Sequence, residues 1–197
     1  MKEGETLGFK GWDDYPDLRD DEKDPKRRMA GAMSREFGGM FENDIFAACD
    51  YYRLNRIAFI EKTPEPFTVI KKLASGRFEG HFQKAAQPDF KGTLNGRAVV
   101  FEAKFTNADR IEQSRVSPEQ AFALDIHFQM GAICFVLVSM GFKVYRVPWQ
   151  VWHSMKKIYG RVHMKKTDLE RFPVKLASGM PLFLDGIGAS EHEKTIF

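Results

Sequence analysis

The dipeptide Asn95-Gly96 lies between two arms of mostly β-forming residues, 88–94 and 97–105, and constrains the fold more than any other feature. A two-residue type I′ turn needs positive φ at both central positions, which Asn followed by Gly tolerates best. The turn predicts a hairpin of fixed register in which Leu94 faces Arg97. Counting back along both arms sets Asp89 opposite Glu102, where Cβ atoms of an antiparallel pair stand roughly 4.5–5.5 Å apart. Side chains alternate along a strand, so Lys104 shares the face of Glu102. Phe101, Ala103 and Phe105 point the other way, into a core.

The flanking segments give this hairpin a setting. Phe41, Ile45, Ala48 and Tyr52 recur on one helical face, predicting a helix from Gly39 to about Leu54. A short strand over 57–61 follows, and Pro64 and Pro66 break the chain. Residues 67–73 and 77–84 read as two strands joined by the turn Ala74-Ser75-Gly76. That pair is too polar on both faces to be core, so residues 67–86 are expected to project as a stalk. Ser117-Pro118-Glu119-Gln120 carries a capping box with proline at the first helical position, and the helix stops at Gly131. Residues 133–138 form an unbroken apolar run, as in a strand buried on both faces. A further strand spans 143–147, and Pro148 opens a helix with Trp149 and Trp152, expected in the core or at a dimer interface rather than stacking on bases. From Lys165 the chain is expected to form a short helix and then loop. The fold class implied is α/β (or α+β), a mixed sheet flanked by helices. Residues 1–28 are expected to be a flexible arm, 29–185 one domain with the 67–86 hairpin inserted, and 186–197 a tail.

Composition narrows the function classes. With 43% hydrophobic residues the chain can fill a core, yet no run of 18 apolar residues occurs to span a membrane. The N-terminus lacks the basic-then-apolar order of a signal peptide. Cys49 and Cys134 fall in apolar periodic segments and are expected to be buried and reduced, as in a cytoplasmic protein. The five histidines show no metal-ligand spacing with each other or with the cysteines, which argues against zinc; His127, in the second helix, is read as structural. No phosphate-cradling glycine loop of the nucleotide-binding type is present, nor a serine or cysteine nucleophile context. The net charge of +3 hides an asymmetry: residues 1–24 carry four basic and nine acidic side chains, which leaves +8 on the remaining 173. Basic residues gather at Lys26-Arg27-Arg28 with Arg35, at Lys71-Lys72 with Arg77 and Lys84, and around 156–166. A basic body suits a polyanion, because each neutralised phosphate releases counterions, although any single cluster is equally read as a solvated face.

Two opposed carboxylates repel, and each raises the other's pKa unless a cation lies between them. A hard divalent ion does this, and Mg²⁺ in particular binds through one or two carboxylates while keeping waters and a substrate phosphate. Lys104 beside that pair can offset charge developing on a phosphate. Asp89, Glu102 and Lys104 therefore point to phosphodiester hydrolysis with Mg²⁺. The alternative is a plain salt bridge, in which Lys104 neutralises two acids on a sheet face.

With those residues in hand, the chain resembles the PD-(D/E)xK nuclease superfamily through Pro88-Asp89 and Glu102-Ala103-Lys104. More narrowly it resembles the RecU-type Holliday junction resolvases, through the stretches 38–45, 51–66, 89–104, Glu119-Gln120 and 131–138. The resemblance implies a restriction-endonuclease-like fold and a homodimer that cuts four-way DNA junctions with Mg²⁺ or Mn²⁺, in recombination and repair. It further implies a RecA-type recombinase as a protein partner and the cytoplasm (the host's, for a phage protein) as location. By position, Asp89 and Glu102 resemble metal ligands and Lys104 a transition-state stabiliser. Gln120 resembles a glutamine at the family's metal site, its other role being the capping box with Ser117. Glu42 resembles the helix-borne acid near the metals, its other role being an exposed helix-face glutamate. The family commonly has threonine two residues before the aspartate as a metal contact; Gln87 stands there and can offer a carbonyl oxygen. Arg35, Lys71, Lys72, Arg77 and Lys84 are the expected DNA contacts, and the stalk is a few residues shorter than the family's. Other readings are a non-cutting DNA-binding or recombinase-modulating protein, and an endonuclease of the same superfamily with another DNA target.

Overall fold

The computed structural model describes residues 25–65, 67–82 and 87–187. Its centre is a five-stranded sheet in the order β1-β4-β5-β7-β8, built from β1 (Ala58–Lys62), β4 (Phe90–Leu94), β5 (Arg97–Thr106), β7 (Ile133–Met140) and β8 (Lys143–Pro148). Strands β5 and β7 run parallel and the other pairs antiparallel. The parallel pair needs a crossover, which α2 (Pro118–Gln129) supplies. This is the expected mixed sheet with flanking helices.

Asn95 (φ 49°) and Gly96 (φ 78°) both adopt positive φ, as a type I′ turn requires. Pairing then runs from Leu94↔Arg97 to Phe90↔Phe101. The two faces of the sheet are buried under different helices. On one lies α1 (Pro25–Leu54), whose Phe41, Ile45, Ala48 and Tyr52 pack with Phe90, Phe101, Phe135 and Phe183. Adjacent strands stack Phe90 on Phe101 and Phe101 on Phe135, with ring centroids 4.9 and 4.7 Å apart. On the other face Val100, Val136 and Val138 meet Leu124 of α2 and Trp149 and Trp152 of α3 (Trp149–His153). Each such fully buried side chain contributes about 1.5–3 kcal/mol. Both tryptophans are core residues, and both cysteines are free and buried, their thiols pushed up to about 12 by desolvation.

Three features depart from the sequence reading. Helix α1 begins at Pro25, well before Gly39. No described residue of its first turns up to Met40 is buried, so no apolar period marks them. Two small pairings were not foreseen, β6 (Arg110–Glu112) with β9 (His163–Lys165) and β10 (Leu176–Ala177) with β11 (Met180–Pro181); each is two or three residues long, too short to carry a period. Between β9 and β10 a short helix α5 (Lys166–Leu169) follows α4 (Met155–Tyr159) in chain order.

The polar hairpin forms β2 (Phe67–Lys72) and β3 (Phe78–Phe82), a two-stranded sheet of its own that pairs with no strand of the central sheet. Val69, Ile70 and Phe78 are exposed on it, and its register shifts between Val69 and Lys71. The expected arm over 1–28 falls outside the described residues as far as residue 24, and so does the expected tail beyond residue 187.

Candidate active site

Asp89 lies one residue ahead of β4 and Glu102 in the middle of β5. Where the backbone ladder stops at Phe90↔Phe101, the two acids continue it with side chains. The Asp89 amide donates to Glu102 Oε2 at 3.1 Å, and the Ala103 amide donates to Asp89 Oδ2 at 3.0 Å. The two carboxylates are thus set beside each other by backbone donors from the opposite strand.

Glu102 is fully buried. Its Oε1 accepts from the Lys104 ammonium, an ion pair across one alternation of β5, and from Gln120 Nε2 at 2.6 Å. Desolvation, and then the charge of Asp89, push the Glu102 carboxyl up to about 7; the Lys104 charge and hydrogen bond work against that rise. A buried carboxylate beside a second one is costly unless cations attend it.

Gln120 forms the capping box and also reaches Glu102. Its amide N–H donates to Ser117 Oγ at 3.2 Å and its Oε1 accepts from the Ser117 amide at 3.1 Å, completing the capping box, while its side-chain NH₂ reaches Glu102. Glu42, on α1, is ion-paired with Lys62 at the end of β1. Gln87 is exposed, and its Oε1 accepts from Lys91 Nζ at 2.6 Å.

These elements border a cleft of about 390 Å³, lined by Arg35 and Glu42 of α1, by Lys62 and Thr63, by Gln87 and Asp89, and by Lys104 and Arg115. Arg35 is exposed there. Lys71, Lys72 and Arg77 are also exposed but sit on the β2–β3 hairpin rather than at the cleft. Lys84 lies outside the described residues.

Lys62, Thr63 and Arg115 had no role in the sequence reading. Thr63 donates its amide to the Asp89 carbonyl at 2.7 Å, and its buried hydroxyl has no hydrogen-bond partner among the described residues. The sequence reading ended this strand at Glu61, whereas β1 runs one residue further, to Lys62. Nothing local announces that this end meets Glu42, twenty residues away.

Among the described residues no group of three or more His, Cys, Asp or Glu is placed to hold a metal ion. A two-carboxylate donor set of hard oxygens, with an orphan hydroxyl nearby, nevertheless fits Mg²⁺ or Mn²⁺, which take few protein ligands and keep the rest as water and phosphate.

A model of the RecU family, described as "Recombination protein U", matches residues 36–189. The chain belongs to the RecU family. It is 30% identical to the Holliday junction resolvase RecU of Bacillus pumilus over 155 residues, 73% of this chain and 75% of that protein. It is 27% identical to RecU of Bacillus subtilis over 79% of this chain and 80% of that protein, and 25% identical to RecU of Geobacillus kaustophilus over 90% and 96%. A solved structure of Archaeoglobus fulgidus Hjc, a Holliday junction resolvase, aligns with 72% of this chain and 93% of its own at 12% identity, with a TM-score of 0.45. The RecU match takes in the whole cleft except Arg35, the residue just before it.

Proposed function

We propose that this RecU-family chain is a divalent-metal-dependent endonuclease that cuts four-way DNA junctions, with Asp89, Glu102 and Lys104 at its centre. The observation that carries the reading is a fully buried Glu102, set against Asp89 and held by Lys104 and Gln120 beside a cleft. The cost of ionising Glu102 there has a purpose if the pair binds a cation. The relatives' resolvase activity supports the choice of substrate.

Asp89 and Glu102 would hold the Mg²⁺ or Mn²⁺. When bound, the ion polarises the scissile phosphate and lowers the pKa of an attacking water. Gln120 keeps the Glu102 carboxylate in one orientation, and its fixed amide makes it a positioning residue. Lys104 offers its ammonium to the charge that develops on the phosphate. Glu42 and Gln87 line the cleft, where each can orient water or an ion. Arg35 contacts the backbone of the bound strand, and Lys71, Lys72 and Arg77 engage the branch point through the hairpin.

Two symmetric nicks need two centres, and the outer stripe of α2 supports a homodimer. Phe122, Ile126 and Met130 recur at i, i+4 and i+8 and are 68%, 41% and 80% exposed. A second copy of the chain would cover them. No helix of the described residues is long and apolar enough to cross a membrane, and the reduced cysteines suit the cytoplasm.

The test is incubation with labelled four-way junction, linear duplex and flap DNA, with and without Mg²⁺, beside Asp89→Ala. Paired nicks confined to the junction, dependent on Mg²⁺ and lost in the variant, are expected. Tight binding without cleavage would instead make the protein a non-cutting junction binder, and equal cutting of linear duplex would assign it another DNA target.

A further inference from the structure

The cleft contains four basic side chains, and they are not equivalent. Lys62 is neutralised by Glu42 and Lys104 by Glu102. Arg35 and Arg115 have no carboxylate partner among the described residues. Arg35 was expected to meet DNA from the sequence; Arg115 was not, because nothing near it in the chain looks like a binding motif.

We infer that Arg115 is a preformed contact for a backbone phosphate of the DNA strand lying in the cleft. The residue is exposed, yet its guanidinium is held in place: Nη2 donates to the Phe105 carbonyl at 3.2 Å, one residue past Lys104 on β5. A guanidinium has five N–H donors, so this single bond leaves a fork free at the cleft. The base beneath it is firm as well. Arg115 ends a short 3-10 turn, Gln113–Arg115, whose Gln113 side chain donates to the Trp152 and His153 carbonyls, each at 2.8 Å. The Gln113 amide donates to the Val162 carbonyl at 2.9 Å, and the next residue, Val116, is buried. Two residues on, Ser117 caps α2, whose Gln120 holds Glu102. Arg115 is therefore carried on the same rigid segment that positions the carboxylate. A charged fork with little ordering entropy left to lose, and no acid to satisfy it, suits a planar, bidentate phosphate contact.

This inference rests on the proposed DNA-cutting role and names a contact within that site. The test is equilibrium binding by fluorescence anisotropy, with EDTA present so that nothing is cut, on a labelled four-way junction and a linear duplex over a range of salt. Wild type, Arg115→Gln and Arg115→Lys are compared, with melting temperature recorded for each. Loss of one phosphate contact should weaken binding of Arg115→Gln to both DNAs alike, by roughly three- to ten-fold, and reduce the slope of log K against log salt by about one. Arg115→Lys should restore the slope and recover part of the affinity, because it keeps the charge and loses the fork. An unchanged slope in Arg115→Gln overturns the contact. So does an affinity loss that tracks a fall in melting temperature and is not rescued by lysine, which would make Arg115 a brace for the turn. A wild-type protein that binds neither DNA overturns the reading of the whole site, and this contact with it.

Discussion

Glu102 is a carboxylate that the fold makes expensive to ionise, and that cost has a pH signature. Its pKa in the folded chain is raised, so between the ordinary carboxylate range and about 7 the folded state binds more protons than the unfolded one. Stability must then fall as pH rises through that window, and the full cost remains above it. The melting temperature of metal-free protein is expected to drop by a few degrees between pH 5 and 7.5 in a thermal scan, and Glu102→Gln should flatten that part of the profile. Added Mg²⁺ should raise the melting temperature more at pH 8 than at pH 5.5, because ion binding requires the ionised pair. Lys104→Ala should lower kcat on a junction substrate by roughly 10²–10³-fold, the typical loss when one charge-stabilising donor is removed. Gln120→Ala removes half the capping box and a donor to Glu102 together. Denaturant unfolding should show a loss of about 1–2 kcal/mol.

The strands and helices set the tolerance of the site to change. Gly92 of β4 pairs with Ile60 of β1, and a Cβ there would run into the Phe59 carbonyl and the Ile60 backbone. Gly92→Ala should therefore force β1 off the sheet edge, costing about 3 kcal/mol by chemical denaturation and lowering activity by displacing Lys62 and Thr63 from the cleft. The pairing of β4 with β5 was legible in the sequence as far as Phe90↔Phe101, because Asn-Gly fixes a turn and the turn fixes the register; the next pair, Asp89 with Glu102, is joined through side chains instead. For the same reason Asp89, Glu102 and Lys104 could be grouped before any coordinates. The start of α1 was not legible, since none of the described side chains up to Met40 is buried and they leave no period to read. The partners across the cleft were hidden for a different reason: Lys62 with Glu42 and Arg115 with Phe105 are tertiary contacts, set by where α1 and the turn before α2 settle on the sheet. Gln120 was legible as a cap, and its oxygen and its nitrogen serve different partners, the Ser117 amide and the Glu102 carboxylate.

At the scale of the molecule, the cleft lies between α1 and the β4–β5 end of the sheet, the basic hairpin stands apart from it, and the apolar stripe of α2 faces outward. Under the proposed function these three surfaces would serve three separable duties: cutting, choosing the branch point, and pairing with a second copy. Replacing Lys71, Lys72 and Arg77 together with glutamine should erase most of the preference for a junction over linear duplex in a binding assay while leaving the melting temperature unchanged. If α2 carries the proposed pairing, Phe122→Glu with Ile126→Glu should give a monomer by light scattering. The proposed cutting requires Asp89 and Glu102 to share one hard cation, and calorimetric titration with Mn²⁺ of wild type and Asp89→Asn measures this directly. One saturable site in the wild type, abolished in the folded variant, is the expected result. Equal Mn²⁺ binding in both proteins, or none in the wild type with or without junction DNA, would contradict it.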